Sequence, residues 1–246
     1  MAIMNAVSSA IRRILGKPRQ ISEEEFKAYR RESLDPVTRR GACYVPIQGY
    51  ESTIHYRDKQ NLHHLGRYEW AVRVLEAQPS RGRVLDCACG VGYGSRKLAE
   101  IFDRVEAVDI DEQAIEMAIE RYADPRIEWS AMDAAYLRSK YQPESFDAIV
   151  SMQTIESIED DQKFLDDLHA ILRPGGILLI DTPLRKFRVD CPENPHHRRY
   201  YGVDEWIEML QSRFQIRVFG SLPEADFLKS CGMPSQGSIV HCTREE

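Results

Sequence analysis

One stretch of the sequence, Val84-Leu-Asp-Cys-Ala-Cys-Gly-Val-Gly-Tyr-Gly-Ser95, limits what this chain can fold into. It begins with an apolar run typical of a buried strand, and the residues that follow it are typical of a helix. Between them lie Gly90, Gly92 and Gly94. Because glycine has no Cβ, a ligand can pack directly on the backbone of such a turn and on the start of the next helix. The stretch therefore predicts a strand, a nucleotide-binding turn and a helix in direct succession.

Acidic residues near this turn distinguish between nucleotide ligands. Asp86 lies at the end of the predicted strand, where a carboxylate would attract a cationic amino group rather than a pyrophosphate. Asp109 ends the next apolar run, nineteen residues after Gly90, and an acid there suits the two hydroxyls of a ribose. The dinucleotide pattern G-x-G-x-x-G has glycine or alanine where this chain has Ser95. A nicotinamide-dependent oxidoreductase is therefore disfavoured.

Strand-like and helix-like segments alternate regularly after the turn. Apolar spacing predicts a helix at 112–122, which Asp111 can cap, and a second helix lined by apolar residues from Phe164 to Leu172. The predicted strands are at 127–131, 146–152, 177–181, 214–219 and 238–242. This alternation predicts an α/β, Rossmann-like fold with a mostly parallel sheet, helices on both faces, and ligands at the carboxyl ends of the strands.

Local patterns refine this outline. Helices are predicted from Asn61 to Glu76 and from Ser95 to Phe102, and Arg173-Pro-Gly-Gly176 is predicted to be a turn before the strand at 177–181. Cys87 and Cys89 are two residues apart on a predicted strand, so we expect them to face the same side of the sheet.

Composition excludes several classes of protein. The chain has 246 residues and a net charge of −6, which argues against nucleic acid as the main partner. The sequence has no apolar run of about 18 residues, so we expect no integral membrane association. The first residues lack the pattern of a signal peptide, from which we expect a cytoplasmic location. The six cysteines have no spacing that predicts a zinc site or structural disulfides, and no metal is expected.

Five sequence blocks together resemble class I S-adenosylmethionine-dependent methyltransferases. They are D-C-A-C-G-V-G-Y-G from Asp86, V-D-I-D from Val108, the pair Met132-Asp133, F-D-A-I-V-S-M-Q-T-I-E-S-I with its L-R-P-G-G sequel, and N-P-H-H-R-R-Y-Y from Asn194. The last two are similar to blocks of small-molecule methyltransferases from sugar, glycan and natural-product pathways. The resemblance covers about residues 62 to 210.

The resemblance implies a seven-stranded sheet that ends in an antiparallel pair of strands. It also implies two regions in the chain. Residues 62–246 would form the methyltransferase domain, and residues 1–61 would form a helical and loop extension that acts as a lid and as part of the acceptor pocket. A homodimer is a further expectation.

The resemblance assigns residues to the methyl donor, S-adenosylmethionine. The backbone of the glycine turn would hold the methionine part, with Asp86 near its amino group, and Asp109 would accept both ribose hydroxyls. Asp133 would accept from the adenine amino group, with Met132 against the ring. The full implied set is Asp86, Ala88, Gly90, Gly92, Tyr93, Asp109, Ile110, Met132, Asp133, Ala134, Met152 and Gln153.

The same resemblance supplies catalytic and substrate-binding candidates. A hydroxyl acceptor needs a base as the methyl group arrives, and histidine is best matched to this task near neutral pH. His197 is the first candidate because it matches the histidine of an N-P-x-H block. An equal alternative is that the histidines only bind substrate or solvent. The other catalytic candidates are His196 and Glu156, with His64 as a further possible base, and the implied substrate contacts are His64, Arg67, Arg199 and Tyr201.

Two positions depart from the family pattern. Gln153 stands where the family often has glutamate, and Ser157 stands where it often has histidine. The first change removes a charge beside the expected methyl donor, and the second removes an imidazole. Either the acceptor differs from the usual one, or another group takes the proton.

We therefore expect an S-adenosylmethionine-dependent methyltransferase that acts on an oxygen of a small molecule or glycan precursor, with nitrogen as the second choice. One alternative is a methyltransferase of RNA or protein, against which the acidic net charge argues. Another is a protein that binds the donor without catalysis, which the departures at Gln153 and Ser157 keep open.

Overall fold

The computed structural model of the chain describes residues 67–68, 70–185, 188–190, 197–220 and 238–245. The fold is given for these residues. The predicted extension of residues 1–61, and with it the proposed boundary between the two regions, lies outside them. In the described ranges, no helix combines the length and apolar character needed to cross a bilayer.

The elements follow one another as alternating strands and helices. In chain order they are α1 (residues 70–76), β1 (Arg83–Cys87), α2 (Tyr93–Leu98), β2 (Arg104–Asp109), α3 (Glu112–Tyr122), β3 (Ile127–Ala131), α4 (Leu137–Lys140), β4 (Phe146–Met152), α5 (Asp161–Ile171), β5 (Leu172–Thr182), β6 (Leu184–Arg185), β7 (Val189–Asp190), β8 (Arg199–Gly202), α6 (Val203–Gln211), β9 (Gln215–Gly220) and β10 (Ser238–Thr243). Short 3-10 helices lie at Ala134–Tyr136 and Ile155–Ser157.

A seven-stranded sheet has the order β3-β2-β1-β4-β5-β10-β9. The five strands from β3 to β5 pair in parallel, and β10 is antiparallel to both of its neighbours. The predicted fold class, including the antiparallel ending, is confirmed. Because the strand order reverses at β1, with β2 on one side and β4 on the other, a cleft for ligands is expected at the carboxyl ends of these strands.

Apolar clusters cover both faces of this sheet. Side chains alternate along a strand, so on β1 Leu85 lies in one cluster and Val84 in the other. Helices α5 and α6 pack in the first cluster, for example through Phe164 and Trp206, and α1 packs in the second through Leu75. The interior strands are buried on both faces, which leaves the strand ends as the place where polar groups can meet a ligand.

A second, small sheet follows β5. Its order is β6-β8-β7, with β8 parallel to β6 and antiparallel to β7. The strand β8 includes Arg199, Tyr200 and Tyr201, the last three residues of the block that the sequence had linked to substrate. The small sheet was not predicted from the sequence.

Three local predictions need correction. The strand β1 ends at Cys87, and Ala88 has a φ of 61°, so Cys89 packs in the cluster opposite that of Cys87. The helix after the glycine turn begins at Tyr93 and not at Ser95, because Gly92 takes the left-handed conformation just before it.

The predicted turn at 173–176 is part of β5 instead. Two backbone hydrogen bonds hold it: Gly175 donates to the carbonyl of Arg244 at 2.9 Å, and the amide of Arg244 donates to the carbonyl of Gly176 at 3.1 Å. Bonds to the chain after β10, which is distant in sequence, therefore extend the strand through a proline and two glycines.

Close packing over the glycine turn predicts that Gly92→Ala is destabilising. Gly92 has a φ of 85°, and an added Cβ would lie 2.5 Å from the Trp129 ring and 2.7 Å from the Ala118 Cβ. We expect the substitution to lower the free energy of unfolding by about 3 kcal/mol, measured by urea denaturation.

Gly175→Ala is the matched control. Gly175 has a φ of 73°, but an added Cβ there would meet no described atom within 4 Å. It should therefore cost only the backbone term of about 1 kcal/mol. Equal losses in the two variants would contradict the packing argument.

Candidate active site

The glycine turn lies between β1 and α2 and is anchored to β2. Gly90 and Gly92 have φ values of 56° and 85°, and Ala88 between them and β1 has a φ of 61°. The amide of Cys89 donates to the carbonyl of Val108 at 2.9 Å. The turn is thereby held in a fixed position against the neighbouring strand.

Asp109 joins the end of β2 to the glycine turn. Its Oδ2 accepts from the amide of Gly90 at 2.8 Å, and its Oδ1 accepts from the amide of Asp111 at 3.0 Å. The carboxylate is buried, with 6% of the residue exposed. Since a carboxylate oxygen can accept more than one hydrogen bond, these two bonds do not exclude a further donor. The expected contacts with two ribose hydroxyls stay a prediction.

Among the described residues, the space beside the Gly90 backbone is open, and an apolar side chain follows Asp109. A Cβ built on Gly90 would meet no described atom within 4 Å, whereas one built on Gly92 would collide with its neighbours. Ile110 is 69% exposed, which is unusual for an isoleucine that follows a buried strand. An open backbone surface, a carboxylate and an exposed apolar side chain in succession are the groups that a nucleoside requires.

Met132 and Asp133 lie at the end of the next strand, β3. The amide of Met132 donates to the carbonyl of Asp109 at 2.7 Å, so the two strand ends are in contact. Oδ1 of Asp133 accepts from the amide of Ala135 at 2.8 Å and starts the 3-10 helix, of which Ala134 is a buried part. The contacts predicted for Asp133 and Met132 with an adenine ring are not tested by this geometry and stay predictions.

Asp86 is fully buried beneath the glycine turn. Tyr68 Oη donates to its Oδ1 at 2.7 Å, and Ser95 Oγ donates to its Oδ2 at 2.6 Å. Burial raises the pKa of Asp86 to about 6, although these two hydrogen bonds act in the opposite direction. With both oxygens bound inside the protein, Asp86 fixes the turn. The predicted contact with a methionine amino group stays a prediction.

Tyr68 is a site residue that the sequence prediction did not include. An added Cβ on Gly94 would lie 2.2 Å from the Tyr68 ring, which therefore packs directly on the helix start. The ring also meets Tyr93 edge to face at a centroid distance of 5.4 Å. The available signal was that Tyr68 directly follows Arg67, which had been predicted to contact substrate.

Arg67 lies at the ends of β4 and β5. It is 3% exposed, and its Nε donates to Oδ2 of Asp181 at 2.6 Å. Gln153, directly after the buried Met152, also bonds to Asp181 through its side-chain amide at 3.1 Å. The guanidinium group of Arg67 is thus buried against a carboxylate, and its predicted contact with substrate stays a prediction.

Glu156 is a second buried carboxyl at these strand ends. Thr182 Oγ1 donates to its Oε2 at 2.9 Å, while Oε1 is buried and has no hydrogen-bond partner among the described residues. Burial, with a smaller contribution from the charge of Asp181, raises the pKa of Glu156 to about 8, although hydrogen bonds and the charge of Arg67 act in the opposite direction. The protonated form therefore dominates at neutral pH, so Glu156 is poorly prepared to act as a base.

His197, Arg199 and Tyr201 lie on or just before β8. The partly buried His197 ring lies 5.5 Å from the Tyr200 ring. Arg199 forms an ion pair with Oδ2 of Asp161 at 2.6 Å, and the fully buried Tyr201 donates to the same oxygen at 2.9 Å. The predicted substrate contacts of Arg199 and Tyr201 stay predictions, since both side chains are bound to the first residue of α5. His64 and His196 lie outside the described residues.

Comparison with known proteins points in one direction. A family model described as a methyltransferase domain matches residues 85–180, from β1 to β5. A Mycolicibacterium smegmatis protein named as a probable S-adenosylmethionine-dependent methyltransferase is 32% identical over 68% of this chain and 64% of its own length. A Parvibaculum lavamentivorans protein named as a ubiquinone biosynthesis O-methyltransferase is 31% identical over 64% of this chain and 59% of its own.

Solved structures share the fold. The crystal structure of the N-methyltransferase NodS from Bradyrhizobium japonicum matches 76% of this chain and 98% of that chain, with a TM-score of 0.60 and 21% identity. The chain spans between about half and just under two thirds of the length of the curated relatives that it matches first.

Because the pKa of Glu156 is raised in the folded chain, we expect the free energy of unfolding to depend on pH through this residue. Its ordinary value is 4.5, so between about pH 4.5 and 8 the folded chain binds a proton that the unfolded chain has lost, and this contribution to stability falls as pH rises. An amide does not titrate. We therefore expect Glu156→Gln to gain stability relative to the parent as pH rises through this window, by up to about 1.4 kcal/mol per pH unit.

Urea denaturation at a series of pH values measures this difference. Glu159→Gln, which removes an exposed carboxyl three residues away, is the control and should follow the parent. Parallel stability curves for Glu156→Gln and the parent would show that Glu156 is ionised in the folded chain.

Proposed function

The chain belongs to the class I S-adenosylmethionine-dependent methyltransferases, and on that premise we propose that it transfers a methyl group to an oxygen of a small molecule or glycan precursor. The observation that carries the proposal is the contact between Gly90 and Asp109 beside open space. It joins the turn that would hold the methionine part to the acid that would hold the ribose.

The described residues fit the donor. The open backbone at Gly90 would take the methionine part, Asp109 would take the ribose hydroxyls, and the exposed Ile110 would cover one face of the adenine ring. Met132 and Asp133 would complete the adenine site. When bound, S-adenosylmethionine supplies a methyl group that is already activated by the positive charge on sulfur.

The protein contributes mainly alignment. Holding an acceptor atom in line with an activated group can supply on the order of 7–11 kcal/mol in favourable cases. The buried hydrogen bonds of Asp86 and Asp109 fix the donor side for this purpose. Where β4 and β5 end, Arg67, Gln153 and Asp181 form a polar cluster joined by hydrogen bonds.

Two observations support an oxygen as the acceptor atom: the name of one relative, and the presence of His197 as a candidate base. The Parvibaculum relative is named as an O-methyltransferase. A hydroxyl must lose its proton as the methyl group arrives, and His197 is the base we propose because Glu156 is held in its protonated form at neutral pH. A neutral amine has a free electron pair and would need no such base for the attack.

RNA or protein as the acceptor is the second candidate, and binding of the donor without catalysis is the third. The net charge of −6 disfavours a nucleic acid substrate. Transfer of a labelled methyl group from the donor to matched alcohol and amine acceptors, with RNA and a protein mixture in parallel, distinguishes these candidates. Label in the alcohol products supports the proposal, and label only in the amines, RNA or protein overturns it.

Asp109→Ala tests the donor site. The parent should bind S-adenosylmethionine but not NAD in calorimetric titration, and the substitution should weaken donor binding by at least about tenfold, because it removes the acceptor for two backbone amides and for the ribose. Asp103→Ala is the control, since Asp103 is exposed at the opposite end of β2. Absence of donor binding by the folded parent would refute the proposal.

Gly90→Ala tests whether the open backbone surface is the binding surface. Because an added Cβ meets no described atom, the variant should fold with a loss of only about 1 kcal/mol from its φ of 56°. The methyl group would nevertheless occupy the space of the donor, so binding should weaken by at least about tenfold. Undiminished binding would place the donor elsewhere.

A further inference from the structure

Three side chains meet where β4 and β5 end. Asp181, with 1% of its surface exposed, accepts three hydrogen bonds through its carboxylate. Arg67 Nε donates to Oδ2 at 2.6 Å, Gln153 Nε2 donates to the same oxygen at 3.1 Å, and the backbone amide of Gln153 donates to Oδ1 at 2.8 Å. The Asp181 carboxylate therefore binds the guanidinium group of Arg67, the side-chain amide of Gln153 and the backbone amide of Gln153.

Gln153 has a strained backbone at this point. Its φ is 54°, in the left-handed region that residues with a Cβ rarely adopt. Such a conformation persists only when the surrounding structure fixes it. Besides the carboxylate, the carbonyl of Asp181 also accepts from the Gln153 amide, at 3.2 Å. Within the described part of the chain, Asp181 thus accepts every hydrogen bond that Gln153 donates, and it is the group that fixes the conformation of Gln153.

An amide at position 153 is complementary to a carboxylate at position 181. The amide donates, and a carboxylate in its place would have no hydrogen to donate and would face a like charge in a buried site. This complementarity accounts for the departure from the family pattern that Gln153 represents. Arg67 and Gln153 both donate to Oδ2 of Asp181, so their side chains lie close together. If residue 153 were a glutamate and residue 181 an asparagine, the carboxylate would therefore still lie beside the guanidinium group of Arg67.

The conformation of Gln153 is connected to the donor side. Thr154 Oγ1 donates to the carbonyl of Cys87 at 3.4 Å, and Cys87 is the last residue of β1, directly before the glycine turn. In addition, Cys87 is paired with Ser151 in the parallel register of β1 and β4. A change in the backbone at residue 153 would therefore be passed to the turn that contains Gly90.

We propose that Asp181 is a positioning residue for donor binding, which acts with Arg67 by holding Gln153, and that residues 153 and 181 form one exchangeable donor and acceptor pair. The proposal rests on the proposed function, because it concerns the donor site of that same reaction. Asp181 itself need not touch the donor.

An exchange of the two groups tests the proposal. We expect Asp181→Asn and Gln153→Glu, each alone, to weaken binding of S-adenosylmethionine by at least about tenfold, because each removes a buried charged hydrogen bond. The double variant Gln153→Glu/Asp181→Asn restores one amide and one carboxylate and should bind within about threefold of the parent. Calorimetric titration measures binding, and thermal unfolding is recorded for every variant.

Asp147→Asn is the matched control. Asp147 also forms an ion pair with an arginine, Arg173, at 2.6 Å and accepts from a backbone amide, but it lies at the opposite end of β4. We expect Asp147→Asn to lower the unfolding temperature and to leave donor affinity within about twofold of the parent. It therefore separates a general loss of stability from a loss of positioning.

A glycine variant keeps the test valid if a charge variant does not fold. Glycine adopts a φ near 54° without strain, so Gln153→Gly should need Asp181 less. Asp181→Asn should then weaken donor binding less in the Gln153→Gly background than in the parent. An equal effect in both backgrounds would overturn the proposal.

The remaining outcomes are distinct. Additive losses in the double variant, or singles that lose thermal stability but bind the donor as the parent does, would overturn the positioning role. If the parent itself binds no donor, the proposed function fails, and the role of Asp181 in donor binding fails with it.

Discussion

Four buried carboxyl groups at the carboxyl ends of parallel strands determine how the rest of this site is built. Asp86, Asp109, Glu156 and Asp181 are each no more than 6% exposed. A buried carboxylate without partners would cost several kcal/mol, so each must be compensated. Hydroxyl groups donate to Asp86, backbone amides donate to Asp109, and a guanidinium group pairs with Asp181. Glu156 instead retains its proton at neutral pH. At this edge of the sheet, three carboxylates are thus stabilised by three different kinds of donor, and the fourth carboxyl group is neutral.

The positions that the sequence predicted well are those set by local chemistry and by strand order. The glycine turn and Asp109 were expected at the same edge of the sheet, because the turn follows one strand, Asp109 ends the next, and parallel neighbours end at the same edge. The cap at Asp111 was predictable because its partners are the next residues along the chain. Periodicity also predicted the sheet, because its strands are buried on both faces and its helices on one.

The parts that could not be predicted depend on distant partners or on burial. Arg67 and Asp181 are 114 residues apart, and no pattern in the sequence pairs them. The left-handed backbone of Gln153 could not be predicted, because residues other than glycine rarely adopt that conformation. The protonation of Glu156 follows from its surroundings, so its residue type suggested a base where the structure holds an acid.

Arg67 and Tyr68 are consecutive, yet they bind carboxylates at the ends of two different strands, β5 and β1. A slip of one residue that brought Tyr68 to Asp181 would replace the guanidinium group there by a phenol and would remove the Tyr68 hydroxyl from Asp86. The register of the segment that contains Arg67 and Tyr68 is therefore fixed to a single residue. An insertion or deletion between this pair and β1 could be absorbed only in the loop after α1, where residues 79–81 are exposed. This loop is where length variation among related chains would be tolerated.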